Sequence, residues 1–292
     1  MKIIPLRQAD LGEGFQVARA LPTKDQRMVG PWCFLDRIGP VALTGGAGMH
    51  VAAHPHTCLQ TFTWVMEGSI LHRDSLGTEQ VIHPGQVNLM TAGHGISHTE
   101  DTLPGTGNLH AAQLWIALPP EHADMPPRFD HYPRLAQWHQ GRQGHLRVTL
   151  LAGRFGSEQA PTYVLSPLVG MDITAQDTDD DTLALNPLFE YGVLPLSGDI
   201  QVNDAMVSTD QFAYLPAGSQ KLTLSLQRKA RCLIIGGEPF PNPISMWWNF
   251  VGHTRAAVEQ AQADWVAHHE RFGSVPRAQH RLQAPPIPWI HR

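Results

Sequence analysis

The chain has 292 residues, enough for two ordinary domains or one large β architecture, and 42% of them are hydrophobic, so a sizeable core needs no covalent staples. A formal net charge of −5 supplies no broad basic field, which excludes direct, sequence-independent nucleic-acid binding. Lys2 is followed by too short an apolar run for a secretion signal, no stretch has membrane-spanning length, and Cys33, Cys58 and Cys232 are odd in number and scattered; these predict a cytoplasmic protein in a reducing compartment, with no membrane partner.

The 26 glycines and 24 prolines punctuate short runs rich in Val, Ile, Leu, Thr, Phe and Trp, so the chain reads as mainly β with many short antiparallel strands. Strands are predicted near 61–67, 69–74, 79–83, 86–90, 96–100 and 109–118. Turns separate them at Ser75-Leu76-Gly77, Pro84-Gly85, Thr91 to Gly95 and Leu103 to Gly107. Pro119-Pro120 closes this block, and the polar, Pro-rich stretch 119–145 is expected to be a connector with little regular structure.

Two short pairs frame the block: His54 and His56 in His-Pro-His, and His98 and Glu100 in His-Thr-Glu. Residues two apart in a strand project from one face, so each pair is a two-pronged clamp. Brought together, the pairs offer three imidazoles and one carboxylate, a donor set that divalent first-row metals bind well. The competing reading makes them surface groups, with Glu100 in an acidic patch beside Asp101. The chain holds 17 histidines, so most are not ligands, and His50, His72, His83, His94 and His110 are assigned to surface or hydrogen-bonded packing roles.

An internal repeat follows. VIHPGQVNLMTAG at 81–93 matches MVSTDQFAYLPAG at 206–218, with Gln86, Ala92 and Gly93 recurring as Gln211, Ala217 and Gly218. EGSILHRD at 67–74 likewise resembles SGDIQVND at 197–204, so a duplicated β-barrel unit is expected. The offset of 125 residues carries His98 to Thr223 and Glu100 to Ser225, and no His-Pro-His precedes the second copy, so only the first barrel can build the metal site. The acidic run Asp177 to Asp181 is expected to be a solvated loop. Residues 253–271 predict a helix whose stripe of Val258, Ala261, Trp265 and Val266 packs on a barrel and which Gly273 stops.

His-x-His near a strand start, a hairpin ending in Pro-Gly and a later His resemble the paired motifs of the cupin superfamily. The segment 54–100 resembles the pirin family more closely: His54-Pro55-His56, Glu67-Gly68, His72 to Gly77, Pro84-Gly85 and Met90 to Glu100 occur in that family's order. Looser similarity extends to Glu238-Pro239 and Trp248-Asn249-Phe250. The resemblance implies a bicupin of two antiparallel, jelly-roll-type β-barrels with a C-terminal helix. The N-terminal metal-binding barrel is expected over 1–135, and a degenerate C-terminal barrel with the helix over 136–292.

It further implies one divalent metal held by His54, His56, His98 and Glu100, with iron(II) favoured and manganese, nickel, cobalt, copper or zinc chemically admissible. Pirins usually carry Glu where this chain has Gln60 and commonly Gly where it has Cys58. Both residues are therefore expected beside the metal, Gln60 altering its surroundings and Cys58 serving as a small buried side chain.

Similarity to pirins with quercetin 2,3-dioxygenase activity implies a small-molecule flavonol or related enol as substrate, with O₂ as co-substrate, and Glu100 as the catalytic base. The alternative is a regulator without enzymatic activity, in which iron senses redox state and acts through a protein partner.

Overall fold

The structure is a computed structural model that describes residues 1–11, 15–43 and 48–290. Seven strands form the block around the metal pairs: β1 (His50–His56), β2 (Leu59–Glu67), β3 (Ile70–Asp74), β4 (Glu79–Ile82), β5 (Val87–Thr91), β6 (Ile96–Thr102) and β7 (Asn108–Ala117). Their β-branched and aromatic residues suit a pleated, buried surface, and Gly68, Gly77, Gly85 and Gly93 turn the chain at positive φ between them.

These strands lie in two sheets. One has the order β1-β6-β3-β4; the other runs from Arg128–Tyr132 through β5, β2 and β7 to the strands Trp32–Ala42, Gln16–Leu21 and Arg7–Asp10. Alternation fixes what β2 shows to each side. Thr63 reaches Glu100 on β6, so Thr61, Thr63 and Val65 line the barrel interior, while Gln60, Phe62 and Trp64 point the other way.

The second barrel repeats the plan. Asp179–Ala184, Lys221–Leu226, Ile200–Val202 and Ala205–Val207 form a four-stranded sheet in that order, matching β1-β6-β3-β4. Opposite it lies a larger sheet ordered Lys2–Pro5, Gln211–Leu215, Glu190–Ser197, Arg231–Gly237, Leu168–Ala175, Leu146–Phe155 and Ala136–Gln140. Val148, Met171, Val193, Ile200, Leu222, Leu224 and Leu226 are among its core residues.

The repeat is thus visible in the fold, but the positional offset is not kept in β6's counterpart. Thr223 and Ser225 fall on the outward face of Lys221–Leu226, and the inward positions are Leu222, Leu224 and Leu226. Glu100 pairs with His72 and its counterpart Leu224 with Val202, so the link from Gly218 to this strand is one residue shorter than the link from Gly93 to β6, and a one-residue change reverses every side chain of a strand. The second barrel therefore fills with leucine the space that carries metal donors in the first.

The two compact units are not cut at a single point. One comprises Met1–Ala9, Val17–Arg37 and Tyr132–Phe240; the other, which holds the metal pairs, comprises Asp10–Gln16, Ile38–His131 and Pro241–Arg292. A simple division into 1–135 and 136–292 thus misplaces both ends. Lys2–Pro5 pairs with Gln211–Leu215 as an edge strand, and the tail from Pro241 docks on the metal barrel, with bridges from Thr57 to Phe250 and from Ala53 to Arg281.

Three further expectations are corrected. The connector 119–145 contributes two half-exposed strands, Arg128–Tyr132 and Ala136–Gln140; edge positions tolerate its polar sequence. The acidic run is not a solvated loop: Asp179 starts a strand and is buried, its carboxylate accepting backbone N–H groups of Gln143, His145 and Asp180. The helix α1 (Arg255–Val266) is capped by Thr254, whose hydroxyl accepts from the Ala257 N–H, and buries Val258, Ala261 and Trp265 against Phe250 and Phe272. Val266 faces outward at 64% exposure, and Gly273 ends a separate turn, Glu270–Phe272, rather than the helix. No helix among the described residues is long and apolar enough to cross a membrane.

Candidate metal centre

β1 and β6 run antiparallel with His98 opposite His54 and Ile96 opposite His56. A bulge between His98 and Glu100 shifts the register, so Glu100 falls opposite Val51. On its other edge β6 pairs with β3, setting His98 opposite Asp74 and Glu100 opposite His72. All four predicted donors are buried, at 6% exposure for His54, 1% for His56 and His98, and 8% for Glu100.

One donor atom from each of His54, His56 and His98 lies within 4.8 Å of the other two. Two of the rings are fixed by backbone carbonyls: His54 Nδ1 donates to Ala52 O at 2.9 Å and His56 Nδ1 to Asn249 O at 3.1 Å. With the proton on Nδ1, each presents a bare Nε2 to the interior. His56 Nε2 and His98 Nε2 are 3.1 Å apart, close to the separation of about 3 Å expected for two ligands at right angles around a metal with bonds of about 2.1 Å.

Burial holds these imidazoles neutral, the state in which they ligate. It lowers His54 to about 4 and drives His56 and His98 well below the ordinary histidine range, with the neighbouring imidazoles adding to the effect.

Glu100 joins through a second trio, in which its carboxylate, His98 and His72 each offer an atom within 4.8 Å of the others. Burial raises this carboxyl to about 7, partly offset by the Thr63 hydroxyl at 3.4 Å. The donor set of three neutral imidazoles and one carboxylate fits a divalent ion. The carboxylate also titrates in a range where it can exchange a proton.

His72, assigned from sequence to a packing role, is a buried neighbour of the centre: its Nδ1 is 3.3 Å from His98 Nδ1, its Nε2 is 3.0 Å from Asp74 Oδ2, and it stacks on Phe129 with centroids 4.5 Å apart. The signal that finds it is the β3–β6 register, which sequence alone does not supply. Trp115 packs edge-on to His56 at 5.0 Å.

Gln60 is placed differently from expectation. It is fully buried and donates from Nε2 to Thr91 Oγ1 at 2.9 Å, on the face of β2 that points away from Thr63 and the donors. Phe62, Trp64 and Leu89 share that outer face, since Gln60 pairs with Thr91 and Phe62 with Leu89. Cys58 lies in the tight link between β1 and β2 at φ +56°, the left-handed region that favours glycine. Burial and the nearby Asp124 push its thiol up to about 12, so it is an inert, protonated side chain.

Two stacked-sheet barrels of matching topology, one carrying inward His and Glu donors and the other filled with leucine, define a bicupin whose metal-type donors, among the described residues, lie in one barrel. Residues 14–116 match the family model described as Pirin and residues 170–273 the one described as Pirin C-terminal cupin domain. The chain belongs to the pirin family. It is 50% identical over 287 residues to a Pseudomonas aeruginosa protein that carries the provisional name quercetin 2,3-dioxygenase, covering 98% of this chain and 90% of the relative. It is 35% identical to a pirin-like protein of Caulobacter vibrioides, covering 91% and 92% of the two chains. Among solved structures it superposes on quercetin 2,3-dioxygenase from Acinetobacter baumannii with a TM-score of 0.95 at 45% identity, covering 99% of this chain and 96% of the other.

Proposed function

We propose that this chain is a metal-dependent dioxygenase that opens a flavonol or related enol with O₂. The observation that carries the reading is the convergence of three buried, neutral imidazoles beside a carboxyl that burial raises to about 7. The names carried by the Pseudomonas and Acinetobacter relatives support the substrate class.

His54, His56 and His98 would hold the ion and Glu100 would complete its set. A bound divalent metal, iron(II) foremost by family resemblance, would supply Lewis acidity and a template for enol and oxygen. The rest falls to the chain. Glu100 takes the enol proton, which its position near neutral suits, and its loose tether to Thr63 lets it turn toward substrate. Trp115, at 5% exposure, walls the His56 side against water.

The test is oxygen uptake by protein reconstituted anaerobically with iron(II) and given quercetin, with His98→Ala as control. Turnover that disappears in the variant supports the reading. No turnover by protein shown to hold one iron overturns it, and favours a redox-responsive regulator acting on a protein partner.

A further inference from the structure

Gln113 lies on β7 directly opposite Thr63 of β2, with Trp115 opposite Thr61 and Ala111 opposite Val65. Thr63 reaches Glu100 and Trp115 reaches His56, so these alternate residues face the interior that holds the donors. The Thr63 hydroxyl donates to Gln113 Oε1 at 2.8 Å, which turns the other end of the amide away from Thr63. Nε2 donates to no group among the described residues, and it is accessible rather than sealed in. Gln113, at 9% exposure, therefore offers N–H donors to the interior, one hydroxyl away from Glu100.

The second barrel does without this polar pair. Each barrel has a bulge at the same step: Glu67 and Val65 face His110 and Ala111 in one, Ser197 and Pro195 face Arg231 and Cys232 in the other. That bulge aligns Thr63 with Val193 and Gln113 with Ile234, which pair with each other in the core and are 0% exposed. Two apolar side chains thus close the fold at these positions. An amide in such a place costs free energy unless its donors are used. A bound ligand is the acceptor that accounts for it.

We propose that Gln113 is the specificity residue for a ketoenol, donating from Nε2 to the carbonyl oxygen that adjoins the enol hydroxyl. Glu100 accepts and Gln113 donates, and Thr63 holds them side by side at 3.4 Å and 2.8 Å. An adjacent hydroxyl and carbonyl complement that order. An enol with no neighbouring carbonyl leaves the amide unused and is bound less well. The inference deepens the proposed function and rests on it for the enol site. An amide donates at any pH, so no titration enters. Flavonols are one member of the class that the pair selects.

The test uses zinc-loaded protein, which consumes no oxygen, and two chelators that share an enol hydroxyl: maltol, with a carbonyl oxygen beside it, and thiomaltol, with sulfur in that place. Affinities are read by absorption titration. Gln113→Met should weaken maltol about 10- to 100-fold and thiomaltol by less than about twofold, because sulfur accepts a hydrogen bond poorly. An effect routed through Thr63 and Glu100 would weaken both chelators alike; that result, or no loss for either, overturns the proposal. In the unsubstituted protein, the ¹⁵N-labelled side-chain amide protons of Gln113 should move downfield with maltol and not with thiomaltol. An unmoved signal overturns it without any variant having to fold. If the loss is specific to maltol and quercetin is not turned over with iron(II), the ketoenol assignment stands and the dioxygenase reading fails.

Discussion

Thr63 and Glu100 touch across the interior of the metal barrel at 3.4 Å, but the same hydroxyl lies 2.8 Å from Gln113 Oε1. One hydroxyl proton serves two acceptors unequally, and the shorter bond takes the larger share. Glu100 is therefore under-tethered for a buried carboxyl, and its proton affinity reflects burial more than hydrogen bonding.

Thr63→Val removes the group that lowers Glu100. The midpoint of the pH dependence of cobalt(II) binding should then move to higher pH. An unchanged midpoint in a folded variant would show that the hydroxyl has no part in holding the carboxylate.

Metal binding should release protons in the range where Glu100 titrates. With that carboxyl at about 7, uptake displaces about nine-tenths of a proton at pH 6 and about a tenth at pH 8. Calorimetry in buffers of different ionisation enthalpy measures this directly. A release that does not change between these two pH values would remove Glu100 from the metal equilibrium.

The stability of the metal-free protein should follow two opposing slopes. Glu100 is raised above its unfolded value, so its contribution is full below pH 4.5 and lost as pH rises through about 7. His54 is depressed, so its contribution is full above pH 6.5 and lost as pH falls through about 4. Each shift corresponds to on the order of 3 kcal/mol. Bound metal removes the Glu100 penalty, so the rise in melting temperature on adding metal should be larger at pH 8 than at pH 6.

Gln60→Glu, which restores the residue usual in the family, should cost stability rather than change metal binding. It replaces the amide donor to Thr91 with a carboxyl at a fully buried position, at a cost of roughly 1–3 kcal/mol. Chemical denaturation should show the loss while cobalt(II) affinity stays within about twofold. A large affinity change would mean that the outer face of β2 speaks to the metal after all.

Cys58→Gly should be close to neutral, because relief of the left-handed backbone, worth roughly 1–2 kcal/mol, offsets the loss of a small buried side chain. Cys58→Val should be strongly destabilising at the same φ. In the folded protein at pH 8, Cys58 should resist alkylation until unfolding, given a thiol pushed up to about 12; rapid labelling would mark it as redox-active.

Much of the centre can be read before any coordinates, because residue pairs at spacing two carry their own geometry. Once His54, His56, His98 and Glu100 lie in strands, one face each is dictated. The six central strands were legible for the same reason, their turns being spelled in glycine and proline. His72 was not, since only the β3–β6 register brings it to His98. Nor was the face of Gln60, because β2 is buried on both sides and its hydrophobicity does not alternate. The outward turn of Thr223 depends on one loop residue fewer, which a pattern match absorbs without notice.

The carbonyl that orients His56 belongs to Asn249, 193 residues further along the chain. A nascent N-terminal barrel therefore has its metal-binding histidines long before it has the acceptor that sets one of them. Until synthesis passes Asn249, the His56 ring is free to carry its proton on either nitrogen, and half of its options turn a proton toward the ion. Full affinity for metal is thus gained only once the chain has been made past Asn249 and that segment has docked, which makes loading a report on the docking as well as on the barrel.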